Sequence, residues 1–235
     1  MNKFVIEEPF RDLFRDARIG IILCKGVDNT STDTQVFETM LREAEKQSLK
    51  FVGHEVLSDN PVIREWREAY QKFKTKKGAR SSIEALLSRV KKGNALGTIN
   101  PLVDIYNSIS LRFGLPCGGE DMDTFAGTVR LTTATGTEAF VTLGAGENSP
   151  PYEGEVVYKD DLGAICRCWN WRESVRTMLT EKTRNAFLCL ELVDGTRLAE
   201  LEAALAELAR LVQRHCGGSC TTHILDADHR ELELT

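Results

Sequence analysis

Near residue 114 the apolar residues of this chain change spacing, from the three-and-four rhythm of a helix to the alternation of a strand, and that switch limits the folds open to it. Upstream, a helix is predicted at about 33–48 after the Asn29–Ser31 cluster. Asn60-Pro61 opens an amphipathic helix reaching about Phe73, and Ser81 with Glu84 forms a capping box for another reaching about Lys91. Two strand candidates interrupt this part, the apolar run IGIILCKGV at 19–27 and the weaker FVGHEVL at 51–57. Downstream, TFAGTVRLTTA, TEAFVTLGA, GEVVYKD, GAICRCW and NAFLCLELV are rich in β-branched residues and bounded by Gly, Asp and Asn. A last helix is predicted at about 196–214, followed by the strand candidate THILDA. The expectation is α+β: a helical lobe packed on a mostly antiparallel sheet or distorted barrel. With no low-complexity linker and no internal repeat, residues 1–235 read as a single domain. Its helical part is about 28–114, its strand-rich part about 115–195, and a C-terminal helix and strand fill about 196–228.

At 235 residues and 42% hydrophobic content the chain can bury a full core. It has no apolar run of membrane-spanning length, and its first residues carry acids where a signal peptide has an apolar segment, so a cytoplasmic location and no membrane partner are expected. Seven cysteines at spacings that give no disulfide framework read as reduced thiols. The net charge of −5 conceals an asymmetry. Residues 64–92 hold ten Lys/Arg against Glu65, Glu68 and Glu84, so that segment is +7 and the remainder −12. Lys74, Lys76, Lys77 and Arg80 at its centre are either a docking patch for a polyanion or a solvated hairpin between two helices.

The helix over 101–113 is delimited by its own chemistry. Asn100 suits the N-cap and Pro101 the first helical position, and Gly114 with Pro116 stops it. Leu102, Ile105, Tyr106, Ile109 and Phe113 form an apolar stripe, while Asn100, Asp104 and Asn107 fall along one edge. Two amides and a carboxylate in a row can hold ribose hydroxyls and a water; the alternative is a cap and two solvent-facing residues.

Asp160-Asp161-Leu162-Gly163 joins GEVVYK and AICRCW as a hairpin. Alternation puts Arg167 on one face and Cys166 and Cys168 on the other. Trp169-Asn170-Trp171-Arg172 follows, and indoles with a guanidinium either stack on bases or pack together as cation–π core. Glu155, at the head of the hairpin, is either an ammonium ligand or base, or a solvent-exposed residue. Cys166 and Cys168 enclose one residue only, and His215, Cys216, Cys220 and His223 match no common ligand spacing; no metal is expected. The Gly144–Gly146 stretch leads to Asn148-Ser149-Pro150-Pro151 instead of a helix, so no phosphate loop and no cofactor are expected.

The ordered run NPLVDIYNSISLRFGLP, GEVVYKDD, CRCWNWRES resembles the B3/B4 domain of the phenylalanyl-tRNA synthetase beta subunit, across about residues 15–225 and most clearly in the middle third. That family hydrolyses mischarged tRNA and carries the same Asn-Pro, Asp, Asn pattern in its helix. The resemblance implies an editing module without an aminoacylation module, acting in trans on the aminoacylated 3′ end of tRNA, with no obligate protein partner. Asn100, Asp104 and Asn107 would position ribose and water, with Glu155 as base or ammonium ligand. Arg167 and Arg172 would contact phosphate or developing charge, Trp169, Asn170 and Trp171 would supply walls, and Asn185 is a further candidate. Two departures stand out. Gly118 replaces a histidine and Cys189 a glutamate that recognise the tyrosine hydroxyl in the family, and Cys166–Arg172 replaces a Gly-rich loop. Loss of those polar contacts implies poor recognition of tyrosine and a smaller or non-aromatic amino acid. Beside this trans-editing hydrolase stand two alternatives: a non-catalytic tRNA- or RNA-binding protein of the same fold, and an enzyme or sensor for a free amino acid or nucleoside.

Overall fold

The computed structural model describes residues 2–31 and 33–234. Its strands are β1 (Lys3–Ile6), β2 (Arg18–Lys25), β3 (Cys117–Asp121), β4 (Val129–Thr133), β5 (Val156–Lys159), β6 (Ala164–Arg167), β7 (Arg172–Glu173), β8 (Asn185–Leu192), β9 (Ser219–Leu225) and β10 (Glu231–Glu233). Its helices are α1 (Glu8–Leu13), α2 (Thr34–Ser48), α3 (Pro61–Tyr70), α4 (Ser82–Lys91), α5 (Pro101–Phe113) and α6 (Leu198–Cys216). The strands form a six-stranded sheet in the order β10-β1-β4-β5-β6-β7 and a four-stranded sheet in the order β3-β8-β2-β9. Every pairing within them is antiparallel except β1 with β4, so the class is α+β.

Alternation along β8 explains how the layers stack. Ala186, Leu188, Leu190 and Leu192 point to one face, where α5 and α6 cover them with Leu102, Ile105, Ile109, Leu201, Leu205 and Leu208. Phe187, Cys189 and Glu191 take the opposite face, toward the six-stranded sheet. Strand β2 is apolar on both sides for the same reason: Ile22 and Cys24 join the helix side, and Ile19, Ile21 and Leu23 the sheet side. Gly20 lets α6 approach closely, since a Cβ there would lie 2.9 Å from methyls of Leu201 and Leu205.

Helix α5 matches the predicted limits. The Asn100 side chain accepts from the Val103 N–H at 3.1 Å, and Gly114 adopts a left-handed φ of 65°. The Ser81 hydroxyl caps α4 by accepting from Glu84 N, but the Glu84 carboxylate does not reach back to complete the box; it takes Arg67 at 2.6 Å. Two expected strands are absent. Residues 51–57 form turns between 3-10 segments because the Asn60 side chain accepts from His54 N and donates to Leu57 O, locking the loop in place. Residues 137–145 do not form a strand. Phe140 N is taken by the Asn148 side chain, Ala139 O accepts from Ala164 N, and Val141 O accepts from Val175 N. Both termini add elements that the sequence reading missed, with β1 and β10 pairing at the sheet edge. No helix of the described residues is long and apolar enough to cross a membrane.

Candidate functional site

A cavity of about 430 Å³ opens where the four-stranded sheet faces β5–β7. The β3–β8 register puts Gly118 opposite Cys189 and Glu120 opposite Phe187, so these four share the face that floors it. Tyr158, Cys166 and Glu173 approach from β5, β6 and β7, and Ser82, Ala85, Leu86 and Arg89 of α4 close one side. Tyr106 and Asn107 enter from α5, with Trp171 and Arg172 at the mouth. The size suits an amino acid and part of a nucleotide.

Three carboxylates line this space: Glu120, Glu173 and Glu191. Burial lifts Glu173 to about 7, although the Gly119 N–H pulls it partly back. Burial likewise lifts Glu191 to about 7, against hydrogen bonds from Tyr158 Oη, Trp169 Nε1 (2.8 Å) and Asn170 Nδ2 (2.6 Å). Glu120, 7% exposed, is raised well above the carboxylate range by burial and next by the charge of Glu173, and its Oε2 has no hydrogen-bond partner among the described residues. Arg176 attracts Glu120, but that guanidinium is already paired with Asp160 at 2.7 Å. None of the three acids is ion-paired among the described residues, and the guanidinium groups of the cavity, Arg89 and Arg172, are exposed. Sequence reading missed all three. The signal for Glu191 was present, since an acid flanked by leucines in NAFLCLELV must be satisfied inside the fold.

The polar edge of α5 does not converge on the cavity. Asn107 lines it, whereas Asn100 and Asp104 are not among its lining residues. Asn100 is buried as a cap, accepts from Asn29 Nδ2 and donates to Leu179 O. Asp104 is 2% exposed, accepts from Ile99 N at 2.9 Å, and is lifted by burial to about 6. The edge splits because its first turn faces the Asn29 loop, not the sheet.

Glu155 and Arg167 form a sealed pair, which corrects both assignments. Arg167 Nε and Nη2 reach the two Glu155 oxygens at 2.8 and 2.7 Å, and the carboxylate also accepts from Cys168 N and Tyr152 N. Both side chains are buried, so neither a free base nor a phosphate ligand remains. Trp169, fully buried between Phe10, Phe14 and Trp66, offers no free face to a base. Alternation fails after Arg167 because Cys168 and Trp169 have φ of 46° and 64°. Asn170 is held by Tyr70 and Glu191 at the cavity wall. Arg172 is exposed over the Trp171 ring, 5.4 Å from its centroid. Asn185 is not among the lining residues: it accepts from Gly26 N and donates to Asp123.

Gly118 and Cys189 do meet at the cavity floor, and a polar side chain lies beside them. A Cβ on Gly118 would stand 3.5 Å from Glu173 Oε1, so a carboxylate from β7 occupies the neighbourhood that the glycine leaves open. The basic loop 71–81 runs directly into α4 and carries Lys74 over the Tyr152 ring at 6.0 Å. Its Lys76 lies 3.4 Å from Ser149 Oγ, and Lys77 and Arg80 are exposed.

The B3/4 domain family model matches residues 65–217, about two thirds of the chain. The chain belongs to the B3/4 domain family. It is the family that the sequence motifs resemble. A solved structure, an N-terminal fragment of the phenylalanyl-tRNA synthetase beta subunit from Pyrococcus horikoshii, is similar at a TM-score of 0.47 and 14% identity, covering 93% of this chain and 50% of that one. The chain thus spans about half the length of that fragment. No curated protein sequence matches it. Within this B3/4 domain, the cavity-lining acids come from β3, β7 and β8, all inside the matched region.

Proposed function

We propose that this B3/4 domain is a trans-acting hydrolase that removes amino acids from mischarged tRNA, with the acid-lined cavity receiving the aminoacyl end. What supports the reading is an amino-acid-sized cavity whose carboxylates lack a cation. Every aminoacyl ester brings an ammonium group, and such a floor attracts it. The basic loop adjoining α4 offers a place for the polyanionic body of tRNA.

Little chemical machinery is required, because an aminoacyl ester is intrinsically reactive. Water attacks the ester carbonyl carbon, the bond from that carbon to the ribose oxygen breaks, the amino acid leaves as its acid, and the ribose oxygen takes up a proton. Asn107 is placed to hold a ribose hydroxyl or the attacking water. Arg172 and Arg89 at the rim stabilise the oxyanion or a terminal phosphate.

The test is release of amino acid from a panel of charged tRNAs. At least one tRNA should lose its amino acid ten times faster than spontaneously, and Asn107→Ala should slow that reaction more than tenfold. Asp104→Ala should instead lower stability by ~1 kcal/mol through loss of the Ile99 N–H contact, with turnover kept. Binding of uncharged tRNA with no release from any member of the panel would favour the non-catalytic reading.

A further inference from the structure

The walls and floor of the cavity make different demands. Phe187, Met178, Leu86, Val175 and Trp171 give apolar sides, while Glu120 and Glu173 provide acceptors that the protein leaves without a cation. A wholly apolar ligand would bury these acids further and leave Glu120 Oε2 without a donor. A neutral hydroxyl would satisfy one acceptor and leave the like-charge repulsion between Glu120 and Glu173 in place. A flexible aliphatic stem ending in a cationic nitrogen answers both demands, since its methylenes cover apolar surface and its head offers several donors with the opposite charge.

Glu191 does not share this role. Tyr158, Trp169 and Asn170 already donate to it, so it serves as the anchor of the back wall. Glu173 is the accessible acid: it is partly exposed, and the missing side chain of Gly118 leaves open space beside its Oε1. Glu120 comes from the facing four-stranded sheet, on the same face of β3 as Gly118.

We infer that Glu120 and Glu173 form a side-chain subsite selecting aminoacyl groups of lysine or ornithine type, whose aliphatic stem carries a terminal ammonium. This rests on the deacylation reading for its substrate and deepens it by naming the amino-acid class. It narrows the expectation of a smaller or non-aromatic amino acid drawn from Gly118 and Cys189, with the acceptor supplied by a different strand. The subsite is specific for charge over shape: the α-ammonium is common to all substrates and cancels between isosteres.

The experiment compares kcat/KM for tRNAs charged with lysine, ornithine, norleucine and tyrosine. Lysyl or ornithyl release should exceed norleucyl release by about tenfold or more, and Glu173→Gln and Glu120→Gln should each lower that ratio about tenfold. Two variants are used so that a folding defect in one leaves the other decisive. A ratio near one, or a preference for tyrosine, overturns the inference. If other charged tRNAs of the panel are hydrolysed but none of these four, the inference alone is overturned; if no member of the panel is hydrolysed, the deacylation reading fails, and calorimetry with lysinamide and norleucinamide then judges the subsite. Binding of lysinamide alone, lost in Glu173→Gln, sustains it; equal binding of the two amides, or none, overturns it.

Discussion

Two acid sites of this domain differ in what faces them. Glu155 meets the Arg167 guanidinium through two parallel contacts and two backbone N–H groups, a closed account with no acceptor to spare. Glu120 on β3 of the four-stranded sheet and Glu173 on β7 of the six-stranded one face each other's charge and an open cavity. An acid with its own cation stabilises or specifies a fold, whereas buried acids left without one are raised in pKa and respond to whatever cation arrives. The first site is architecture and the second is receptive. That reverses the sequence-based ranking, in which Glu155 and Arg167 were site candidates and Glu120 and Glu173 were not.

The largest expected effect breaks the sealed pair. Arg167→Met should cost ~3–5 kcal/mol in chemical denaturation by leaving Glu155 buried and uncompensated, while Arg167→Met with Glu155→Leu should recover most of that loss. Equal destabilisation in the single and double variants would show that packing, not charge, holds the site.

Glu173 sharpens the other half of the contrast. It keeps its proton up to about pH 7 when folded and releases it in the ordinary carboxylate range when unfolded, so the native state binds more protons between those limits. Relative to Glu173→Gln, wild-type stability should therefore fall as pH rises from about 4.5 to 7, by on the order of 3 kcal/mol, and stay level above. The groups facing it are Glu120 and Cys117 on β3, Tyr106 on α5, Cys166 on β6 and Cys189 and Glu191 on β8, with Arg172 adjacent in sequence. A difference curve independent of pH would mean that solvent or a cation already compensates Glu173.

The smallest effect on stability belongs to the basic loop. Charge reversal of Lys74, Lys76 and Lys77 to Glu should change folding free energy by less than ~1 kcal/mol, because Lys74 and Lys77 are exposed and the half-buried Lys76 makes only a 3.4 Å contact with Ser149 Oγ. The same triple change should flatten the dependence of tRNA binding on salt concentration, and an unaltered slope would move the docking surface elsewhere.

What the sequence disclosed and what it withheld follow one physical division. Local signals were readable: Asn100, Pro101 and Gly114 delimit α5 by capping and backbone freedom, and Asp160 to Gly163 turns the β5–β6 hairpin. Long-range satisfaction was not. Whether Glu155 was exposed or paired depended on Arg167 twelve residues away and on a backbone kink between strands. The edge of α5 was drawn correctly on the helix, but a helical wheel does not say which neighbours face it, and only Asn107 reaches the cavity. Residues 137–145 have strand composition, yet the Asn148 side chain takes a backbone donor that a ladder would need.

The left-handed pair Cys168 and Trp169 carries a consequence for how such a domain diversifies. Two successive non-glycine residues at positive φ cost ~1–2 kcal/mol each, and the turn they make delivers Cys168 N to Glu155 and the Trp169 indole to Glu191. One kink thus fastens the sealed pair and the back wall of the cavity, so a substitution there disturbs both together. Mutational drift toward a new amino acid is channelled away from it. Gly118, Cys189, Glu120 and Glu173 line the cavity from strands without carrying the kink, and a library confined to those four should retain a far larger share of folded members than one that includes residues 168–170.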